Sequence, residues 1–171
     1  MEIIPPVHIT RFEQLRPGDL FVYPHERGSC FALKTERPAN GDRSPMVVLG
    51  PDFPYGVEES FILDWQPTTV ISHGSNYVIL LPADPAAWFL SGNLRNPVCI
   101  AITEDGAYVC TNGGHSPQHF FQCFVEFSTG RLVEGRLPSY AAYTNDWEIA
   151  TYAGQSPLRT LLRHRRKGGN L

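Results

Sequence analysis

The chain is short of charge, and long apolar runs are missing from it altogether. Of its 171 residues only 18% are charged. No stretch approaches the roughly 18 apolar residues that a membrane helix needs. The best run, Tyr77 to Leu81, has only the length of a strand. The opening MEIIPPVHITRF lacks the basic start and apolar middle of a secretory signal. These absences predict a soluble cytoplasmic protein with no membrane partner. In that compartment the four cysteines are expected as thiols and not disulfides. G-x-S-x-G, P-loop and G-x-G-x-x-G motifs are absent too, so no nucleophile elbow or nucleotide cradle is legible.

What is present describes a globular domain. Hydrophobic residues make up 42% and aromatics 12%, which is ample for a core and argues against disorder. Fifteen Gly and fifteen Pro cut the chain into short pieces and favour strands and turns over long helices. The net charge of −3 is uneven. Residues 159–171 hold five basic side chains and no acid, which leaves residues 1–158 at −8. An acidic body speaks against nucleic acid as the partner and leaves protein or peptide as the expected one.

Hydrophobicity alternates with period two. Phe31 and Leu33 share a face in GSCFALKT; Phe61, Leu63 and Trp65 share one in FILDW. Val98, Ile100 and Ile102 share a face in VCIAIT, and Phe121, Cys123, Val125 and Phe127 do so in FQCFVEF. Val47 to Leu49 and Tyr77 to Leu81 read as central strands. Turn residues fall between these segments: Asn40-Gly41, Asp105-Gly106, Asn112-Gly113 and Ser128-Thr129-Gly130. Asp105-Gly106 predicts a two-residue type I′ hairpin. The expected fold is mainly β, as antiparallel small SH3-like barrels or a sandwich.

Two short helices are expected. Asp84-Pro85 offers a cap and a first-turn proline for a helix over 84–90. Ser156-Pro157 does the same for a helix over 156–164, whose basic end suits its dipole. An internal repeat is suggested as well. Leu15-Arg16 matches Leu94-Arg95, and Asp64-Trp65 matches Asp146-Trp147. The organisation is then a β unit over 1–82, a second over 83–155, and a basic helix and tail over 156–171.

Three groups of residues are candidates for function. CTNGGHSPQHFFQC places Cys110, His115, His119 and Cys123 within one hairpin. Thiolate and imidazole are the ligands of structural zinc, so this hairpin is the candidate metal site. Against it, Cys123 shares a strand face with Phe121 and Val125, where a cysteine behaves as a small hydrophobe. The aromatics Tyr140 and Tyr143, beside Trp147, offer a binding platform if they line a barrel mouth. The basic residues Arg163, Arg165 and Arg166 can meet an acidic partner, or the acidic body itself. Adjacent acids at Glu58-Glu59 and Glu104-Asp105 read as solvated turn charges.

LRPGDLF, at 15–21, resembles a stretch of papain-like cell-wall peptidases of the NlpC type, in which PGDL begins a barrel strand. The family's nucleophilic cysteine lies upstream of that motif, and no cysteine precedes Pro17 here. The resemblance therefore implies a strand and no catalytic residue. GDLFVYPHERG, at 18–28, resembles the opening of the small polymerase-binding barrel of CarD-type regulators, which implies the same kind of fold. The function expected is that of a non-catalytic binding or interaction module. A zinc protein with its site at the 110–123 hairpin is the alternative.

Overall fold

The computed structural model describes residues 7–25, 28–36, 46–51, 61–62, 67–90, 99–112, 122–134, 137, 140–153 and 156–164. Fifteen strands appear among them: β1 His8–Arg11, β2 Leu20–His25, β3 Gly28–Lys34, β4 Met46–Pro51, β5 Phe61–Ile62, β6 Thr69–Gly74, β7 Val78–Leu80, β8 Trp88–Phe89, β9 Ile100–Ile102, β10 Ala107–Asn112, β11 Gln122–Glu126, β12 Leu132–Glu134, β13 Ala142–Thr144, β14 Trp147–Ala153 and β15 Ser156–His164. The architecture is mainly β and almost wholly antiparallel. One parallel contact, Asn112 with Phe61, joins β10 to β5.

The strands form two sheets. The larger runs β1-β6-β2-β3-β4-β5-β10-β9-β13-β8, with β11 and β12 branching from β10. The smaller is β15-β14-β7. Neither closes into a barrel among the described residues. Within the large sheet one order occurs twice. The first half reads β6-β2-β3-β4-β5, and the second reads β13-β9-β10-β11-β12. In each, four strands follow one another and the fifth returns beside the first.

Alternation explains how these strands pack, but both of their faces are covered. Leu33, Val47, Leu49, Ile100, Val109 and Val125 point into one central core, which the small sheet completes with Trp147, Ile149 and Leu162. On the other face of the first half lie Phe12, Phe21, Tyr23, Cys30, Ala32, Met46 and Val48. On the other face of the second half lie Cys99, Ala101, Tyr108, Cys110, Phe124 and Tyr143. Lys34 falls among such residues and sets its Nζ 3.5 Å from the centre of the Phe12 ring.

Both expected helices are corrected. Asp84 does cap, accepting from the Ala86 amide at 2.9 Å, but only one 3-10 turn follows, Pro85–Ala87. Trp88 and Phe89 then pair with β13 as β8, and Phe89 stacks on Tyr143 at 5.8 Å. One turn fixes too few hydrogen bonds to compete with a ladder. Residues 156–164 are strand β15. The helix-like spacing of Leu158, Leu161 and Leu162 has another cause. The register passes from Ile149 opposite Leu162 to Ala150 opposite Thr160, so Leu161 is an extra residue, a β-bulge. The bulge lets neighbouring leucines turn the same way: Leu162 is buried in the central core and Leu161 packs against it.

The Asp105-Gly106 hairpin is also shifted. Thr103 donates its amide to Gly106 at 3.0 Å, so the loop residues are Glu104 and Asp105. Neither has a positive φ, which rules out type I′ at this loop. Of the suggested repeat anchors, Asp64-Trp65 and Leu94-Arg95 lie outside the described residues.

The two halves meet at a tight junction. The Arg16–Asp19 turn and the end of β3 exchange two bonds, Gly18 amide to Lys34 carbonyl and Lys34 amide to Asp19 carbonyl, both 2.9 Å. From the second half the Ser128–Gly130 turn enters, and the Glu36 amide donates to the Gly130 carbonyl at 2.9 Å. The Tyr77 hydroxyl, its single proton shared between two carbonyls, lies 2.8 Å from the Phe127 oxygen and 3.1 Å from that of Gly18.

Burial pushes the Tyr77 hydroxyl far above its ordinary pKa, and the charge of Asp19 adds to this. It therefore stays a donor. Tyr77→Phe is expected to cost about 1–3 kcal/mol in a urea melt, because two buried carbonyls lose their partner. A raised folded pKa contributes stability that is complete below the unfolded value of 10.0 and is lost as pH rises past it. The deficit of the variant should therefore narrow above pH 10.

Candidate functional site

A cleft among the described residues lies at one end of the small sheet. There β7 ends, β14 begins and β15 ends. The register sets Leu80 opposite Glu148 and Trp147 opposite His164. Leu80, Leu81, Pro82, Asp146, Trp147, Glu148 and His164 line a cavity of about 480 Å³. That volume suits a small molecule or a side chain or two of a peptide.

Its floor is rigid. The Trp147 indole and the His164 imidazole stack at 5.4 Å between centroids and 9° between planes. The Nδ1 of His164 lies 3.3 Å from the Asn145 carbonyl oxygen. A side-chain turn fixes the entry to β14: Thr144 Oγ1 accepts from the Asp146 amide at 3.1 Å. On one rim Glu148 accepts from Thr160 Oγ1 and from Arg163 Nη2, both at 3.0 Å. On the other rim Leu81 leaves 38% of its surface in water. Trp88 Nε1 donates to the Pro82 carbonyl at 3.1 Å and holds that wall. The cleft thus joins an apolar wall to one that carries Asp146 and the Arg163-paired Glu148.

The residues singled out from sequence are placed differently from one another. Tyr140 is 59% exposed, and its hydroxyl donates to Glu104 at 3.2 Å. That hydrogen bond raises its pKa. Tyr143 is only 7% exposed and packs in the second half's own core, so the two tyrosines do not present one surface. Arg163 rises from β15 and is engaged by Glu148 directly across the strand pair. Arg165 and Arg166 lie outside the described residues.

Cys110 and Cys123 are both buried. The β10–β11 register sets Cys110 opposite Phe124, and Thr111 opposite Cys123. Opposed residues share a face and neighbours alternate, so the two thiols project from opposite faces of the sheet. They cannot join one coordination sphere without unpairing the hairpin. His115 and His119 lie outside the described residues. Among the described residues no group of three or more His, Cys, Asp or Glu side chains is placed to hold a metal. All four thiols are buried, which withholds them from any but the smallest reagents. No helix of the described residues is long and apolar enough to cross a membrane.

The cleft residues were not legible as a set. Leu80 and Glu148 meet only through the pairing of β7 with β14, and no local motif encodes a contact of that range. The one sequence signal was Trp147 beside acids on both sides in NDWE. No protein-family model matches the chain, no curated protein is similar to it, and no solved structure matches it.

Proposed function

We propose that the chain is a non-catalytic binding module that holds a peptide segment of a partner protein in the cleft beneath Leu81. The observation that carries this reading is the cleft itself, with Leu80, Leu81 and Pro82 on one side and Asp146 and Glu148 on the other. Its lining fits an apolar side chain next to a basic one. The −8 charge of residues 1–158 favours the same kind of partner and disfavours phosphate backbones. The β7 edge runs into the cleft at Leu80, so an extended peptide can add to that edge while its side chain fills the cavity. The twice-repeated strand order supports reading the fold as two duplicated small barrels of SH3-like topology, over 1–82 and 83–155, with the cleft built between and beyond them.

The test is selection from a random peptide library on the full chain, followed by titration of the enriched sequence. Enriched peptides should pair an aliphatic residue with Lys or Arg. Leu81→Glu and Asp146→Asn should each weaken binding about tenfold, which is about 1.4 kcal/mol. Enrichment of no sequence, or equal binding by both variants, contradicts the reading.

A further inference from the structure

Two thiols stand side by side inside the second half. The β9–β10 register sets Val109 opposite Ile100. One residue further on, the Cys110 amide donates to the Cys99 carbonyl at 2.9 Å. Cys99 and Cys110 are therefore a directly opposed, hydrogen-bonded pair. In such pairs the Cα atoms lie about 5.5 Å apart, inside the roughly 4.4–6.8 Å that disulfides span. The two side chains share a face and pack in one buried cluster. Ala101, Phe124 and Tyr143 surround them. The other two cysteines do not compete, since Cys123 projects from the opposite face and Cys30 packs in the first half.

We propose that Cys99 and Cys110 are a reversible disulfide site that closes across β9 and β10 when the protein meets a small peroxide. The Cys99 sulfur gives up its proton and attacks one oxygen of hydrogen peroxide. The O–O bond breaks, and the departing hydroxide takes a proton to leave as water. Cys99 is then a sulfenic acid. The Cys110 sulfur gives up its proton and attacks the Cys99 sulfur; the S–S bond forms as the S–O bond breaks. The released hydroxide takes that proton and leaves as a second water. The two thiols together lose two electrons and the peroxide gains them.

The order of attack follows from the surroundings of Cys110. Burial pushes the Cys110 thiol up and its closeness to Cys99 pushes it further, so Cys110 is the poorer first nucleophile. That leaves Cys99 as the attacking sulfur and Cys110 as the resolving one. The bond would be easily reduced. Opposed Cβ atoms sit about 4.5–5.5 Å apart, while a disulfide prefers about 3.5–4.5 Å. Closing the bond pulls the strands together, and strained disulfides are the labile ones.

The experiment uses the full chain in native buffer. It is treated with hydrogen peroxide, quenched with catalase, unfolded, alkylated and digested. Cleavage after Glu104 separates Cys99 from Cys110, and chymotryptic cleavage at Phe120 or Phe121 separates Cys110 from Cys123. The expected result is a Cys99–Cys110 linked peptide, loss of two of the four alkylatable thiols, and full return with dithiothreitol. Cys30→Ser and Cys123→Ser should form the same link, and Cys110→Ser should form none. The wild-type map decides the matter even if a variant fails to fold. Four intact thiols, a sulfinic acid in place of the link, or a link through Cys30 or Cys123 would overturn the proposal.

Discussion

Gly130→Ala is expected to destabilise the protein by about 3 kcal/mol or more, a large share of the roughly 5–15 kcal/mol that holds a typical domain folded. Gly130 has φ +67, a conformation in which an L-residue is strained by about 1–2 kcal/mol. A Cβ there would also run into the Lys34 carbonyl oxygen, and would sit 2.6 Å from the Gly18 nitrogen and 3.1 Å from the Pro17 carbonyl carbon. All three are backbone atoms of the opposing half, held by the ladder of the junction. None can rotate away as a side-chain tip would. Gly74→Ala is the matched control. Its φ is +62, but nothing lies within 4 Å of its Cβ. It should show the conformational strain alone, about 1–2 kcal/mol. Urea melts of the two variants side by side measure the difference. If both cost the same, the junction is not the close contact described above.

Trp147→Ala is expected to cost roughly 3–5 kcal/mol, the range for deleting a large buried aromatic. For a domain of this size that is a fall of roughly 10 °C in Tm. Trp147 is among the largest fully buried side chains and belongs to the central core with Leu20, Leu33, Val47 and Ile149. It also stacks on His164. Removing it leaves a cavity where β14 and β15 meet and takes away the floor of the cleft. Trp147→Phe keeps most of the volume and should cost less than half as much. A thermal melt by near-ultraviolet circular dichroism separates the two. If Trp147→Ala melts like the wild type, the central core is not organised around this residue.

Strand composition was legible because alternation depends on local chemistry. Phe31 with Leu33 and Val125 with Phe127 do lie on the faces that period two assigns them. What alternation could not reveal is that the second face is covered too. Cys30 and Ala32, or Phe124 opposite Cys110, read as the outer side of a half-buried sheet. They are instead the cores of the separate halves. Cysteine and alanine are small enough to suit either reading.

The two lost helices have one cause. Caps and spacing are local signals, and a neighbouring strand with open hydrogen-bonding groups outweighs them. Trp88-Phe89 found β13, and Leu158 to Leu162 found β14. The bulge at Leu161 imitates helical spacing closely enough that no reading of the leucines alone would separate the two. The cleft was hidden for a third reason, since its walls come from segments more than sixty residues apart.

The most direct test of a peptide-binding module is a map of amide chemical shifts during titration with the enriched basic-aliphatic peptide. The account predicts saturable shifts confined to Leu80, Leu81, Asp146, Trp147, Glu148 and His164, together with β7. Shifts centred on the exposed Ile9–Ile71 pair of β1 and β6, or none at saturating peptide, would contradict it.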